Sequence, residues 1–290
     1  MRKILIGTLV ACMSLLGLAG MAAADFSWSG WVDFGITGTS DGASGVFADS
    51  AGIDVEATAT SGPWSGTVAF EDFALDDGFI TYGADAFDLT MNPVGIDSDL
   101  GEITCAPAEA DSIILGIPSN AGLKLEVPTG GIDFFTIVNN VGAGDDVTFN
   151  YAGGVDFAME ALGLGLVYNS DQEAESTSYK GEVSYSIDDL ALLLQYGSFT
   201  PEGGDAGAGY YFEAAYTIAE GTTALVSYIG ADDTLNSADG VTRDAFSEIY
   251  GEVVTALADS VNLTIDVTST DDGSGADSVT AWEALIGFSI

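Results

Sequence analysis

The chain has 290 residues, with 45 Asp and Glu against 5 Lys and Arg, no histidine and 2 cysteines, for a formal net charge of −40. So acidic a chain has no basic surface with which to displace counterions from phosphates, which excludes nucleic acid as a partner. The lack of histidine excludes Ser-His and Cys-His catalysis and imidazole-ligated metals, and no enzyme activity is expected.

Arg2 and Lys3 precede the apolar run ILIGTLVACMSLLGLAG, and Ala22-Ala23-Ala24 supplies small residues for a cleavage site. Residues 1–24 therefore read as a secretory signal peptide and 25–290 as one domain. In that domain Lys124, Lys180 and Arg243 are the three basic residues against 45 acidic ones, a net charge of −42. Cys105 is its single cysteine, so no internal disulfide forms. No later stretch is apolar over the roughly 20 residues that a membrane helix needs. Yet 47% of the chain is hydrophobic.

Alternation resolves that conflict. In WSGTVAFED, Trp64, Gly66, Val68 and Phe70 share one side, and Ser65, Thr67, Ala69 and Glu71 the other. The same period of two runs through SYKGEVSYSI (178–187), VNLTIDVTS (261–269) and AWEALIGFSI (281–290). Side chains alternate across a strand, so these are strands. In chain order, strands are expected at 26–37, 51–60, 63–72, 77–83, 86–92, 111–117, 121–128, 178–187, 190–198, 209–217, 222–230, 245–257, 260–268 and 280–290. Residues 131–169 add two or four more.

The connections also alternate. SGP (61–63), SNAG (119–122), IDD (187–189), AEG (219–221) and ADS (258–260) are short, while polar loops such as TSDGASG (39–45), NSDQEAESTS (169–178) and TPEGGDAGAG (200–209) are long. Short turns at one end and long loops at the other are the plan of a transmembrane antiparallel β-barrel of the bacterial outer membrane, which needs an even strand number. The all-β reading is 16 strands, with 18 and 14 as neighbouring counts. Phe26, Trp28, Trp64, Tyr82, Tyr168, Tyr196, Tyr210, Tyr228, Trp282 and Phe288 fit aromatic girdles at the lipid interfaces. The alternative is a secreted β-sandwich of structural or adhesive type, adapted to high salt.

In a barrel the apolar face meets lipid and the polar face lines the lumen. The pore-lining set is then Asp33, Asp54, Glu56, Glu71, Asp88, Glu126, Glu182, Glu213, Glu252, Asp266 and Glu283, with Asp156, Glu160 and Glu248 beside them, and Lys124 and Lys180 the only basic members. Unpaired charge cannot fill a dry interior, so this lumen holds water and cations, and about 16 strands leave room for both.

The segment NPVGIDSDLGEITCAPAEAD (92–111) interrupts the strands and carries five carboxylates and no basic residue. The run from FSWSGWVDFGITG through GIDVEATATSGPWSGTVAFEDFALDDGFITYGADAFDLTMN resembles the opening of the bacterial general-diffusion porins, especially the acidic porins of purple non-sulfur bacteria. ADSIILGIPSNAGLKLEV is similar to that family's sixth strand, turn and seventh strand. The resemblance implies a third extracellular loop folded into the barrel, with Asp97, Asp99, Glu102, Glu109 and Asp111 at the pore constriction. It implies a homotrimer among outer-membrane lipids that passes small cations and hydrophilic solutes. The family's wall arginines, which oppose such acids, are missing here, so the expected eyelet is plainly negative and prefers cations. The chain ends GFSI, not in the family's terminal Phe. No cofactor is expected. A loosely bound Ca²⁺ at Asp271, Asp272 and Asp277, without EF-hand spacing, is the one weak metal candidate.

Overall fold

The computed structural model describes residues 23–40, 44–71, 74–92, 102–103, 113–114, 122–141, 148–172, 175–233, 245–271, 273 and 278–289. In chain order the strands are β1 (Ala23–Thr39), β2 (Ser44–Ser61), β3 (Trp64–Glu71), β4 (Ala74–Ala84), β5 (Phe87–Asn92), β6 (Glu102–Ile103), β7 (Ile113–Ile114), β8 (Gly122–Pro128), β9 (Ile132–Val141) and β10 (Thr148–Met159). They continue as β11 (Leu162–Asp171), β12 (Ser176–Ile187), β13 (Leu190–Thr200), β14 (Gly207–Ala219), β15 (Thr222–Ala231), β16 (Phe246–Ala258), β17 (Val261–Asp271) and β18 (Val279–Ser289).

Sixteen of them close into one antiparallel barrel, with β1 pairing β18 from Trp31↔Ser289 to Thr39↔Ala281. A sandwich would have left two separate sheets; here one sheet closes on itself. β6 and β7 form a separate pair through Glu102↔Ile114 and Ile103↔Ile113. This corrects the strand expected at 111–117: its paired residues, Ile113 and Ile114, leave the wall, and β8 pairs directly with β5 instead. The other thirteen expected strands are present, and residues 131–169 supply three more, β9, β10 and β11. The loop expected at 39–45 is shorter than its composition implied, because β2 already begins at Ser44.

Tight turns lie at one rim. The connections β2–β3, β10–β11, β12–β13, β14–β15 and β16–β17 each leave two residues between strands. Each needs a residue in the left-handed region, supplied by Gly62, Glu160, Asp188, Gly221 and Ser260. Glu160 therefore sits in a turn at the rim, not on the wall as its place in the alternation implied. Each turn's backbone carbonyls also bind the next strand: Ala161 accepts from Ser186 N, Asp189 from Thr217 N, Gly221 from Ala256 N and Ser260 from Ser289 N. At these turns the backbone pairing thus continues past the strand ends to the rim.

The two faces differ because the sheet is curved. Side chains on the convex side splay apart, and Leu166 and Leu194 stay 60% and 51% exposed there. On the concave side they converge, and Ile137 and Gln195 fall to 1%. Register carries this split around the ring: Glu182 pairs Gln195, which pairs Tyr211, all on the concave side.

Aromatic rings form two bands on the convex face. Tyr151, Tyr168, Tyr179, Tyr196, Tyr210 and Tyr228 each lie three or four residues from the long-loop end of β10 to β15. Tyr210 and Tyr228 stack at 5.6 Å between centroids, and Tyr179 and Tyr196 stand 6.1 Å apart. Near the tight-turn rim Trp64 and Tyr82 meet at 4.8 Å, with Phe87 6.1 Å beyond. Phe26 and Trp28 hold convex-side register positions in β1.

A charge placed on the convex face tests its contact with lipid. Leu166→Arg and Leu194→Arg are each expected to lose about 2–4 kcal/mol of folding stability in vesicles, the depth-dependent cost for a midplane cation. The wild-type chain should show different gel mobility before and after boiling. Unchanged stability in both variants would place this face in water.

Candidate functional site

The concave face is where the ionisable side chains gather. Register places Asp33, Asp54, Glu56, Glu71, Asp88, Glu126, Asp156, Glu182, Glu213, Glu248, Glu252, Asp266 and Glu283 on it. Several carboxylates face each other directly. Asp88 pairs Glu126, Asp133 pairs Asp156, and Glu252, Asp266 and Glu283 form one row across β16, β17 and β18. Like charges opposite one another on neighbouring strands repel, so this face needs screening by water and mobile cations.

Lys124 and Lys180 take the same face on β8 and β12. Each is tied to a carboxylate two residues on, its neighbour on that face. Lys124 Nζ lies 2.8 Å from Glu126 Oε1, and Lys180 Nζ 3.7 Å from Glu182 Oε2. Lys124 also stands over the Phe135 ring, 5.8 Å from its centroid. Lys180 is only 7% exposed, and Glu182 is further held by Gln195 Nε2 at 2.6 Å.

The same spacing recurs with tyrosine as donor. Tyr211 Oη donates to Glu213 Oε2 at 2.5 Å, and Tyr250 Oη to Glu252 Oε2 at 3.0 Å. Thr270 Oγ1 donates to Glu248 Oε2 at 2.7 Å. On β8, β12, β14 and β16 a donor thus stands two residues before a glutamate, on the long-loop side of it. These hydrogen bonds fix the carboxylates on the wall.

Of the proposed constriction residues, Glu102 opens β6, while Asp97, Asp99, Glu109 and Asp111 lie outside the described residues. Asp271 ends β17 and accepts from Gly273 N at 3.0 Å. Asp272 and Asp277 lie outside the described residues. Among the described residues no cluster of His, Cys, Asp or Glu is arranged to hold a metal ion.

The reading of the lumen wall as the polar face of the strands did not include two apolar patches. Phe135, Ile137, Ala152 and Val167 form one on β9 to β11, and Phe199, Tyr211, Ile229 and Ala231 another on β13 to β15. A signal for both exists in the sequence. Phe134-Phe135 and Tyr210-Tyr211-Phe212 load both faces of their strands with aromatics, which simple alternation does not do.

No family model matches the chain, and no curated protein does. Solved structures do. A porin structure covers 92% of this chain and 100% of its own at 12% identity, with a TM-score of 0.65. The Salmonella typhi OmpF complex with daunomycin covers 93% and 100% at 14% identity and a TM-score of 0.66. The fold is that of the bacterial porins. A third structure of this fold, the anion-selective porin of Comamonas acidovorans, covers 92% and 100% at 11% identity and a TM-score of 0.62.

The Glu182–Gln195 bond gives this wall a measurable test. Gln195→Leu should destabilise the barrel by roughly 1–3 kcal/mol, because it leaves a carboxylate oxygen without its amide partner. Reversible unfolding in detergent reads the loss. A variant as stable as the parent would mean that the Lys180 contact holds Glu182 without the Gln195 amide.

Proposed function

We propose that the chain forms a water-filled, cation-preferring channel in the bacterial outer membrane, through which small hydrophilic solutes and ions diffuse passively. No catalysis is part of this reading. The porin fold supports the channel. The selectivity rests on one observation: both lysines on the lumen wall are neutralised by a glutamate two residues on, whereas among the described side chains carboxylates face carboxylates in three places. A protein of the same fold is described as anion-selective, so the fold alone does not set the sign of the preference, and this reading assigns it to wall charge.

On this reading Asp33, Asp54, Glu56, Glu71, Asp88, Glu126, Glu182, Glu213, Glu252, Asp266 and Glu283 line the pore, with Lys124 and Lys180 contributing no free positive charge. Asp97, Asp99, Glu102, Glu109 and Asp111 make the narrow zone negative. The long loops face outward and the tight turns face the periplasm. The long-loop tyrosine band covers β10 to β15, while the convex face of β1 to β4 presents Val32, Phe34, Ile36, Ile53 and Ile80. That sector, without the long-loop tyrosines, is the face on which copies associate, and a homotrimer is the proposed assembly, with lipid around the remainder.

Reversal potentials across a planar bilayer in a KCl gradient test the selectivity. Cation permeation should dominate at about 0.1 M salt and weaken toward 1 M, as the Debye length falls from about 10 Å to about 3 Å. Anion preference at low salt would refute the assignment. Replacing Asp97, Asp99 and Glu102 together by Asn and Gln should reduce the potential more than replacing Asp271 and Asp272. Equal effects would place 92–111 away from the narrow zone.

A further inference from the structure

We propose that the tyrosine band on the convex face of β11 to β15 docks lipids with uncharged, hydroxyl-rich headgroups, that is glycolipids, in preference to lipids with anionic phosphate headgroups. This rests on the outer-membrane reading above but not on its ion preference.

The band is one continuous surface. Tyr168 faces Tyr179 across β11 and β12, and Tyr196 faces Tyr210 across β13 and β14. Tyr179 and Tyr196 bridge the two pairs at 6.1 Å between centroids, and Tyr228 extends the row to β15 at 5.6 Å from Tyr210. The approach of that last pair needs Gly230, where a Cβ would lie 3.2 Å from Tyr210 Cζ and Oη. The Tyr210 ring thus leans over β15, and its hydroxyl stands 3.4 Å from that of Tyr228. Two phenols that share one hydrogen bond keep a second O–H and their lone pairs for a third partner. The rings stay open to that partner: Tyr168 is 54% exposed and Tyr210 46%.

Charge selects the headgroup. Among the described residues the only cations, Lys124 and Lys180, lie on the concave face. The long-loop rim of the same sector carries exposed Glu175, Glu202, Asp205 and Asp233. Lipid phosphates are recognised by clustered Lys and Arg, which this surface lacks, and the rim carboxylates repel them at short range. A divalent ion would have to bridge the two, yet no cluster of His, Cys, Asp or Glu among the described residues is arranged to hold one. Sugar hydroxyls need no cation. They exchange hydrogen bonds with neutral phenols, whose rings pack against the apolar parts of the same lipid.

Photoreactive lipids test the preference. The full-length protein is placed in phosphatidylcholine vesicles with EDTA and a trace of either a galactosyl diacylglycerol or phosphatidylglycerol, each carrying a diazirine on its headgroup. The galactolipid should label peptides of β11 to β15 roughly three- to tenfold more than phosphatidylglycerol, the worth of about one neutral hydrogen bond. Tyr179→Phe, Tyr196→Phe, Tyr210→Phe and Tyr228→Phe together keep the rings, and should abolish that difference with conductance unchanged. Should that variant not assemble, Tyr210→Phe with Tyr228→Phe should abolish it on β14 and β15 alone. Equal labelling of the parent by both lipids, stronger labelling by phosphatidylglycerol, or a ratio unmoved in the Phe variants overturns the proposal. Phosphatidylglycerol overtaking the galactolipid when Mg²⁺ replaces EDTA also overturns it, in favour of cation bridging at the rim. A parent whose gel mobility in these vesicles does not change on boiling would instead end the membrane reading itself.

Discussion

Closure of the backbone hydrogen-bond ladder is the constraint on which the rest depends. In hydrocarbon an unpaired N–H or C=O costs several kcal/mol, and an antiparallel sheet escapes this only by having no edge. Pairing of β1 with β18 removes both edges at once. Bonds from the tight-turn carbonyls to the following strands continue the pairing to the rim. Once closed, the sheet has a convex and a concave side, and every strand residue must take one or the other.

That division organises the charge. The convex side takes the aliphatic and aromatic residues and the concave side the carboxylates. The two wall lysines do not break this pattern, because each is spent on a glutamate of its own strand. Tyr211 and Tyr250 repeat the geometry with a neutral donor. The wall thus fixes where its negative charges sit without cancelling most of them.

The interior is not uniformly wet. The patches on β9 to β11 and β13 to β15 are dry surfaces inside a charged lumen, and β6 lies beside the second. Wall and interior patches are therefore shaped by different forces: backbone pairing for the first, hydrophobic burial for the second.

Much of the wall was legible in the sequence, because sidedness in a strand is local. Trp64, Val68 and Phe70 against Ser65 and Thr67 state their two faces without reference to any other strand, and the two-residue turns state where hairpins reverse. What the sequence left open was non-local. Ile113 and Ile114 read as part of a wall strand, but the wall offers that place to β8, since β8 can pair with both β5 and β9 while β7 finds only β6. Residues 131–169 carried too many glycines and doubled aromatics to be counted until neighbours fixed their register. Glu160 followed the alternation in sequence, yet the reversal at Met159 to Leu162 required a left-handed residue and took it. By itself, then, the sequence determined an acidic, two-sided, all-β chain with tight turns at one end, because period and turn chemistry act over a few residues. Only the tertiary structure decided which strands close the ring, that β6 lies beside β13 and β14, and that part of the lumen is dry, because those outcomes depend on hydrogen bonds and contacts between residues far apart in the chain.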